Sequence, residues 1–226
     1  MHTQNIIIIS VLIVLSGFFP TERSSHPDVK AVDVHQLWID CQLKEVLSFE
    51  VFNSALNGYR HIRNIKKQNI ISIIDFSKPS SFKRLFVIDI ENKKILFNCL
   101  VAHGKNSGDN YATSFSNEFQ SLKSSLGFFL TSETYYGKNG YSMKLDGLEK
   151  NINDNARERE IVVHGAEYVS EQFIKKFGRL GRSWGCPALP IENSKAIIDT
   201  ISNGSCLFIY GTDNYYTENS VFLINQ

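Results

Sequence analysis

Apolar side chains recur at helical intervals between Val34 and Ile65. The positions are Leu37, Cys41, Leu43, Val46, Leu47, Phe49, Phe52, Leu56 and Tyr59. This spacing predicts one or two amphipathic helices, with an interruption at Asn57-Gly58. A single apolar stripe is typical of a helix that packs on a neighbouring domain. We therefore predict a helical appendage over residues 31–69, without a cofactor site.

Shorter apolar runs follow and predict strands. Residues 70–76 and 84–90 are rich in β-branched side chains, and Glu91-Asn92-Lys93 predicts a turn into a further strand. Residues 131–160 are polar, aromatic and glycine-rich, which is typical of a surface segment. The pattern predicts one main domain over residues 70–226.

The N-terminal region has its own pattern. Residues 6–19 form an uninterrupted weakly polar to apolar run that ends at Pro20. Such a run is shorter than a typical transmembrane helix and has the length of the apolar part of a secretion signal. We expect residues 1–20 to be a signal peptide or a short membrane anchor and residues 21–30 to be a linker. The protein is then exported to the periplasm or cell envelope.

Length, charge and cysteine usage narrow the function classes. The chain has 226 residues, a net charge of +1 and four cysteines. Its basic residues are scattered, so we expect no nucleic-acid partner. The cysteines lack metal-ligand spacing, and we expect no metal or other cofactor. None of these features indicates an oligomeric state.

The candidate chemistry lies in residues 181–187, which read GRSWGCP, and in the upstream run Ile161-Val162-Val163-His164-Gly165. A cysteine in a tight turn and a histidine at the end of an apolar run predict a nucleophile, Cys186, and its base, His164. A neighbouring imidazole and the charge of Arg182 would both favour the thiolate. The backbone amides of Trp184, Gly185 and Cys186 are candidate oxyanion donors.

Two alternatives involve a second histidine. The stretch Leu100-Val101-Ala102-His103-Gly104 mirrors the run around His164, so His103 is a rival candidate for the base. A zinc-dependent murein peptidase is another interpretation. His103, Asp109 and His164 would then be the metal ligands, and Glu167 the base.

These residues resemble a known family. A His-Gly strand followed by a Ser-x-Gly-Cys turn is similar to the murein L,D-transpeptidase catalytic domain, and the resemblance runs from about Arg84 to Tyr210. It implies a mainly β (α+β) fold, an L,D-transpeptidase-like β-sandwich with the helical segment appended. It also implies a strand pair at 84–89 and 94–98, a strand within 124–130, a helix after the cysteine turn and a last strand at 205–210. This chain departs from the family motif at Trp184, where a histidine is usual, and at Pro187-Ala188.

The resemblance also implies roles for residues. Cys186 would be the nucleophile, His164 the general base and Ser183 a hydrogen-bonding neighbour, with Trp184 and Gly185 supporting the oxyanion. The segment 131–160 would form part of the substrate cleft, as a lid and not merely as a surface hairpin. Four further residues are expected to contact the substrate, namely Gly165, Arg182, His103 and Tyr141.

The implied reaction is peptidoglycan acyl transfer. Cys186 would attack the carbonyl of the third residue of a stem tetrapeptide and expel the terminal D-alanine, forming a thioester. A stem amine or water would then release the acyl group, giving a 3-3 cross-link or L,D-carboxypeptidase trimming. From another class, a non-catalytic cell-wall-binding protein would have the same fold without the activity. A papain-like hydrolase is disfavoured because its cysteine precedes its histidine in the chain.

Overall fold

A computed structural model gives the structure of the chain and describes residues 33–223. The expected signal segment or anchor, residues 1–20, and the expected linker, residues 21–30, lie outside the described residues. Within the described range, no helix has the length and apolar character needed to cross a bilayer.

Two helices occupy the first part of the described chain. Helix α1 covers Val34–Asp40 and α2 covers Phe49–Tyr59. Each begins at a polar cap: the Asp33 carboxylate accepts hydrogen bonds from two α1 amides, and the Ser48 hydroxyl accepts one from an α2 amide. The prediction of one or two helices in this segment is confirmed, and there are two.

The position predicted for the helix break was wrong. Asn57-Gly58 lies inside α2, and the chain breaks between α1 and α2 instead. A Cβ atom at Gly58 would collide with the ring of Phe128. Glycine at this position therefore allows the helix to approach the sheet closely, a packing role that the sequence pattern does not distinguish from a helix stop.

In the rest of residues 33–223 there are one eight-stranded sheet, three further α-helices and a short 3₁₀ helix at Lys105–Ser107. The strands are β1 (Ile70–Asp75), β2 (Leu85–Asp89), β3 (Lys94–Cys99), β4 (Gly127–Gly137), β5 (Gly140–Gly147), β6 (Val162–Gly165), β7 (Ala188–Leu189) and β8 (Cys206–Tyr210). The helices are α3 (Glu171–Phe177), α4 (Ile191–Ile201) and α5 (Asn214–Asn219). The spatial order of the strands is β3-β2-β1-β8-β4-β5-β6-β7. The mainly β fold class with helices is thus confirmed.

The two edges of this sheet come together. Ala102, just after the edge strand β3, pairs with Ala188 in the opposite edge strand β7. The two residues exchange backbone hydrogen bonds of 2.9 and 3.3 Å. The sheet is therefore closed at this point into a barrel-like form, and the chain after β3 is brought beside the Cys186 turn.

One apolar core joins the helices to the sheet. It includes Phe52 of α2 together with Phe128 of β4 and Phe208 of β8, all fully buried. The latter two rings stack with their centroids 4.3 Å apart. Burial of aromatic rings at this depth stabilises the contact between α2 and the sheet. Cys41, Cys99 and Cys206 are buried free thiols in the same core.

Residues 131–160 contain a hairpin. Strands β4 and β5 pair from Phe129 opposite Gly147 to Gly137 opposite Gly140. The tip carries Lys138 and Asn139, which line the same cleft as Cys186. The segment is thus a surface hairpin whose tip reaches that cleft.

Candidate active site

Cys186 lies in a turn that its own side chains stabilise. The Ser183 hydroxyl accepts a hydrogen bond from the Gly185 amide (3.1 Å) and donates one to the Cys186 carbonyl (2.6 Å). Gly185 has φ +127°, a conformation that L side chains rarely adopt. Ser183 thus fixes the backbone that carries the thiol, in line with its expected role as a hydrogen-bonding neighbour.

A second loop supports this turn from behind. The Ser124 hydroxyl accepts from the Gly104 amide (3.0 Å) and donates to the Gly185 carbonyl (3.1 Å). The Lys105 amide donates to the Ser183 carbonyl at 2.7 Å. The His103-Gly104 stretch, which resembles the His164 run in sequence, therefore has a supporting position beneath the cysteine turn.

Substitution of Gly185 by alanine is expected to destabilise this turn. The added Cβ would lie 2.8 Å from the Lys123 carbonyl oxygen and 2.9 Å from the Ile161 side chain, at an unfavourable φ. We expect a loss of about 1–3 kcal/mol in the free energy of unfolding and a fall of about 100-fold in activity from displacement of the thiol. Chemical denaturation and activity assays would measure both effects.

Gly178→Ala is the matched control, because Gly178 also has a positive φ (+75°) but nothing within 4 Å of its Cβ position. It should lower stability and spare activity. Wild-type activity in Gly185→Ala would contradict the strict requirement for glycine.

The Cys186 thiol is nearly buried and has backbone partners. The sulfur accepts from the Val162 amide at 3.4 Å and donates to the Glu160 carbonyl at 3.6 Å. Burial raises the pKa of the thiol, while the Val162 amide and the Arg159 charge oppose that rise. Because burial disfavours the charged form of the thiol, attack by Cys186 needs a base to take the proton.

His164 lies on β6 and faces the same cleft as the thiol. Its strand register sets this orientation, since Tyr135 pairs with Ser142 and Ser142 pairs with His164, so these side chains share one face. His164 Nδ1 lies 2.9 Å from the Gly165 carbonyl oxygen. A carbonyl only accepts, so Nδ1 carries the proton and Nε2 keeps its lone pair. Burial also lowers the pKa of His164, which favours the neutral, basic form at pH 7.

The cleft has a volume of about 850 Å³. The β4–β5 hairpin contributes Tyr135, Lys138, Asn139 and Lys144, and the chain around β6 contributes Arg157, Arg159, Glu160, Ile161, Val162, His164 and Tyr168. The cysteine turn contributes Arg182, Ser183, Trp184 and Cys186. Trp184 stands at the rim with 73% of its surface exposed. The lining carries five basic side chains and one acidic one, and three of the basic side chains, Lys144, Arg157 and Arg182, pair with carboxylates outside the lining.

The oxyanion donors differ in part from those expected. The Gly185 amide is bonded to the Ser183 hydroxyl, so the prediction that Gly185 donates to an oxyanion was wrong. Within residues 33–223, the Trp184 amide has no hydrogen-bond acceptor, and the Cys186 amide contacts the sulfur of its own side chain. These two amides are therefore the candidate oxyanion donors beside the thiol.

The expectation that His103 contacts substrate was wrong. It is fully buried outside the cleft lining, and its Nδ1 accepts a hydrogen bond from the Arg84 guanidinium at 2.8 Å. Burial, together with the Arg84 charge, lowers the pKa of His103 to about 4. The sequence repeat around the two histidines did not reveal this difference, because Arg84, the partner of His103, lies 19 residues away in the chain.

The prediction that Gly165 and Tyr141 contact the substrate was also wrong, because neither residue lines the cleft. A Gly165 Cβ would meet the Ser194 side chain of α4 at 2.7 Å, so this glycine permits helix packing. The Tyr141 hydroxyl donates to Asp199 of α4 at 2.6 Å. Successive strand residues face opposite sides, and Tyr135 is the hairpin tyrosine on the cleft side.

Arg182 does line the cleft, but its charge is engaged. Its guanidinium donates to the Gly108 carbonyl at 2.9 Å and lies 3.4 Å from the Asp109 carboxylate. Asp109 also pairs with Arg179 at 2.7 Å. Arg182 therefore ties the cysteine turn to the loop at 105–109.

The zinc interpretation fails on the placement of its ligands. His103 accepts from a guanidinium and Asp109 pairs with two arginines. Within the part of the chain that the structure describes, no three histidine, cysteine, aspartate or glutamate side chains are grouped closely enough to hold a metal ion. The three proposed ligands do not form a site.

Sequence reasoning missed Arg159, Tyr135 and the backbone of residues 160–162. Arg159 lies five residues before His164, in a run that reads ARERE and resembles an ordinary charged surface. The signal that distinguishes it is its neighbour set, which only the fold supplies. Its guanidinium holds the 116–125 segment beside the cysteine turn.

The family model described as the L,D-transpeptidase catalytic domain matches residues 43–210. This match begins well before Arg84, where the resemblance was expected to start, and it includes α2. No curated protein sequence matches the chain.

Solved structures give more distant matches. An L,D-transpeptidase from Mycobacterium smegmatis is 13% identical, with 63% of this chain and 59% of that chain covered and a TM-score of 0.40. The helical cell shape determining protein Pgp2 from Campylobacter jejuni is 14% identical, with 64% and 48% covered and a TM-score of 0.42. An Enterococcus faecium L,D-transpeptidase C442S mutant is 13% identical, with 63% and 50% covered and a TM-score of 0.37. The chain thus spans about half of the length of such structures.

Proposed function

Because the chain belongs to an enzyme family, that of the L,D-transpeptidase catalytic domain, we propose that it is a cysteine-dependent peptidoglycan L,D-transpeptidase. The observation that carries this proposal is the meeting of Cys186 and His164 in one cleft, with the His164 Nε2 lone pair left free by the Gly165 hydrogen bond. A nucleophile and a neutral base with a fixed tautomer are the parts that thiol acyl transfer requires.

In the first half of the reaction, the Cys186 proton leaves the Glu160 carbonyl and passes to His164 Nε2 as sulfur attacks. The attacked group is the carbonyl of the third residue of a stem tetrapeptide. The amides of Trp184 and Cys186 donate to the oxyanion that forms. The C–N bond then breaks, and His164 returns the proton to the departing amine of D-alanine. The product is a thioester on Cys186.

In the second half, an acceptor releases the acyl group. His164 takes a proton from the attacking amine or water, and the C–S bond breaks to regenerate the thiol. An amine on a neighbouring stem gives a 3-3 cross-link, and water gives an L,D-carboxypeptidase product. No cofactor enters either half of this scheme.

Export is part of the proposal, because peptidoglycan is cross-linked outside the cytoplasmic membrane. The apolar run at residues 6–19 supports it. Comparison of cell fractions for the full chain and for a variant lacking residues 1–20 would test this location.

Product analysis tests the reaction. Incubation of the purified protein with a disaccharide-tetrapeptide should release D-alanine and yield a tripeptide, a cross-linked dimer or both, as measured by liquid chromatography and mass spectrometry. Binding of the muropeptide without any release of D-alanine would instead support the alternative of a non-catalytic wall-binding protein.

Trp184 is expected to influence which acceptor completes the reaction. Its exposed indole forms part of the cleft wall next to the nucleophile, where a large apolar side chain excludes water from the thioester. Trp184→Ala should raise the ratio of hydrolysis to transfer several-fold, while Trp184→His should retain acylation. The ratio of tripeptide to cross-linked dimer measures the effect. An unchanged ratio in both variants would show that the indole has no role in acceptor choice.

A further inference from the structure

Three arginines line the cleft, and they differ in whether a carboxylate pairs with their positive charge. Arg157 bonds to the carboxylates of Glu133 and Asp146, and Arg182 lies against Asp109. Arg159 has no carboxylate partner among residues 33–223. It is therefore the one arginine of the cleft that forms no ion pair with a carboxylate of the described residues.

The neutral partners of Arg159 hold it rigidly. One terminal nitrogen donates to the Ser116 carbonyl (2.7 Å) and the Ser125 hydroxyl (2.5 Å). The other donates to the Ser121 hydroxyl (3.1 Å) and the Lys123 carbonyl (2.7 Å). Four hydrogen bonds to neutral oxygens fix the guanidinium plane without cancelling its charge.

Two backbone groups connect Arg159 with the cysteine turn, and Arg159 lines the same cleft as Cys186. The Lys123 carbonyl that accepts from Arg159 is also the atom nearest to the Gly185 Cβ position, at 2.8 Å. The residue directly after Arg159 is Glu160, whose carbonyl accepts the Cys186 thiol proton. The Arg159 guanidinium is thus linked to the Gly185 side of the turn through the Lys123 carbonyl, and the Arg159 backbone is linked to the thiol through Glu160.

We propose that Arg159 is a positioning residue whose unpaired charge stabilises the Cys186 thiolate and whose hydrogen bonds hold the cysteine turn. This inference rests on the proposed function, because it assigns Arg159 a part in forming the nucleophile. The proton still passes to His164 Nε2; Arg159 lowers the free energy of the anion that remains. A half-buried charge in a cleft is screened less than one at the surface, so its effect on a nearby anion is larger.

Other charges also face the thiol. The chain before β6 brings Glu160, β6 brings His164, the following loop brings Tyr168 and the cysteine turn brings Arg182. Burial raises the pKa of Cys186, Arg159 opposes this rise and Glu160 adds to it.

The test is the pH dependence of Cys186 alkylation by iodoacetamide, measured by mass spectrometry of the Cys186 peptide. Arg159→Gln keeps an N–H donor for the Lys123 carbonyl but removes the charge. It should raise the apparent thiol pKa and slow alkylation about tenfold at a fixed pH below that pKa. Arg159→Lys should recover most of the rate. Arg157→Gln is the matched control and should leave the thiol pKa unchanged.

Several outcomes would overturn the proposal. A wild-type thiol pKa in Arg159→Gln, or an equal rise in Arg157→Gln, would show that the charge of Arg159 does not act on Cys186. Equal losses in Arg159→Gln and Arg159→Lys would assign Arg159 a purely structural role. If circular dichroism shows that Arg159→Gln does not fold, two other variants are compared. Arg159→Met removes the charge, while Ser121→Ala removes one hydrogen-bond acceptor of Arg159 and keeps the charge. Only Arg159→Met should then raise the thiol pKa.

The alkylation assay separates this inference from the proposed function, because it uses no peptidoglycan. An unchanged thiol pKa in Arg159→Gln, alongside normal turnover of the muropeptide by the wild type, contradicts the role of Arg159 alone. The expected pKa rise without any turnover by the wild type contradicts the proposed reaction alone.

Discussion

Cys186→Ala is expected to abolish acyl transfer and leave the fold intact. The change removes the nucleophile, and loss of a residue of this kind lowers kcat by a factor on the order of 10⁴ or more. The effect on stability should be small, because the thiol has only two long hydrogen bonds to backbone groups, at 3.4 and 3.6 Å. D-Alanine release and chemical denaturation measure the two quantities separately.

Cys206→Ala is the matched control for this experiment. Cys206 is fully buried in the core and does not line the cleft, and loss of its sulfur leaves a small cavity. We expect lower stability with activity retained, the reverse of the Cys186→Ala result. Turnover by Cys186→Ala within tenfold of the wild-type rate would mean that another group is the nucleophile.

His164→Gln is expected to lower kcat/KM by about 10²–10⁴, the usual contribution of a general base. Glutamine is close to histidine in size but takes up no proton at neutral pH, and the raised thiol pKa leaves little thiolate without a base. The pH profile provides the sharper measurement. Wild-type activity should fall as pH drops through the His164 pKa, which burial places below that of an ordinary histidine. The variant should lack this acidic limb.

His103→Gln distinguishes the two histidines. His103 is buried against Arg84 and lies outside the cleft lining, so its replacement should lower stability and preserve the acidic limb of the pH profile. If His103→Gln removed the limb and His164→Gln retained it, the assignment of the base would be reversed.

Much of the secondary structure could be predicted from local patterns. The β-branched runs at 70–76 and 84–90 became β1 and β2, and the apolar stripe from Val34 became α1 and α2. The exception at Gly58 is instructive, because a glycine that ends a helix and a glycine that admits a partner ring look alike in sequence. Only the position of Phe128, seventy residues along the chain, distinguishes them.

The candidate site was predictable where its chemistry is local. Cys186 and His164 carry recognisable neighbours in the chain, and both lie in one cleft. Contacts set by strand register and sheet closure were not predictable. Tyr135, and not Tyr141, lines the cleft. Tyr141 pairs with Tyr136, and successive residues of a strand face opposite sides of the sheet, so Tyr135 and Tyr141 lie on opposite faces. His103 is held inside because β3 runs on to meet β7, a pairing that no sequence period signals.

The most direct test of the account is capture of the acyl-enzyme. The wild-type protein would be mixed with a tetrapeptide donor, quenched in acid within seconds, digested and mapped by mass spectrometry. We predict a tripeptidyl adduct on the peptide that contains Cys186, with the equivalent loss of one D-alanine, and no such adduct in Cys186→Ala. Turnover of the donor with an adduct on another residue, or an adduct that persists in Cys186→Ala, would contradict the account.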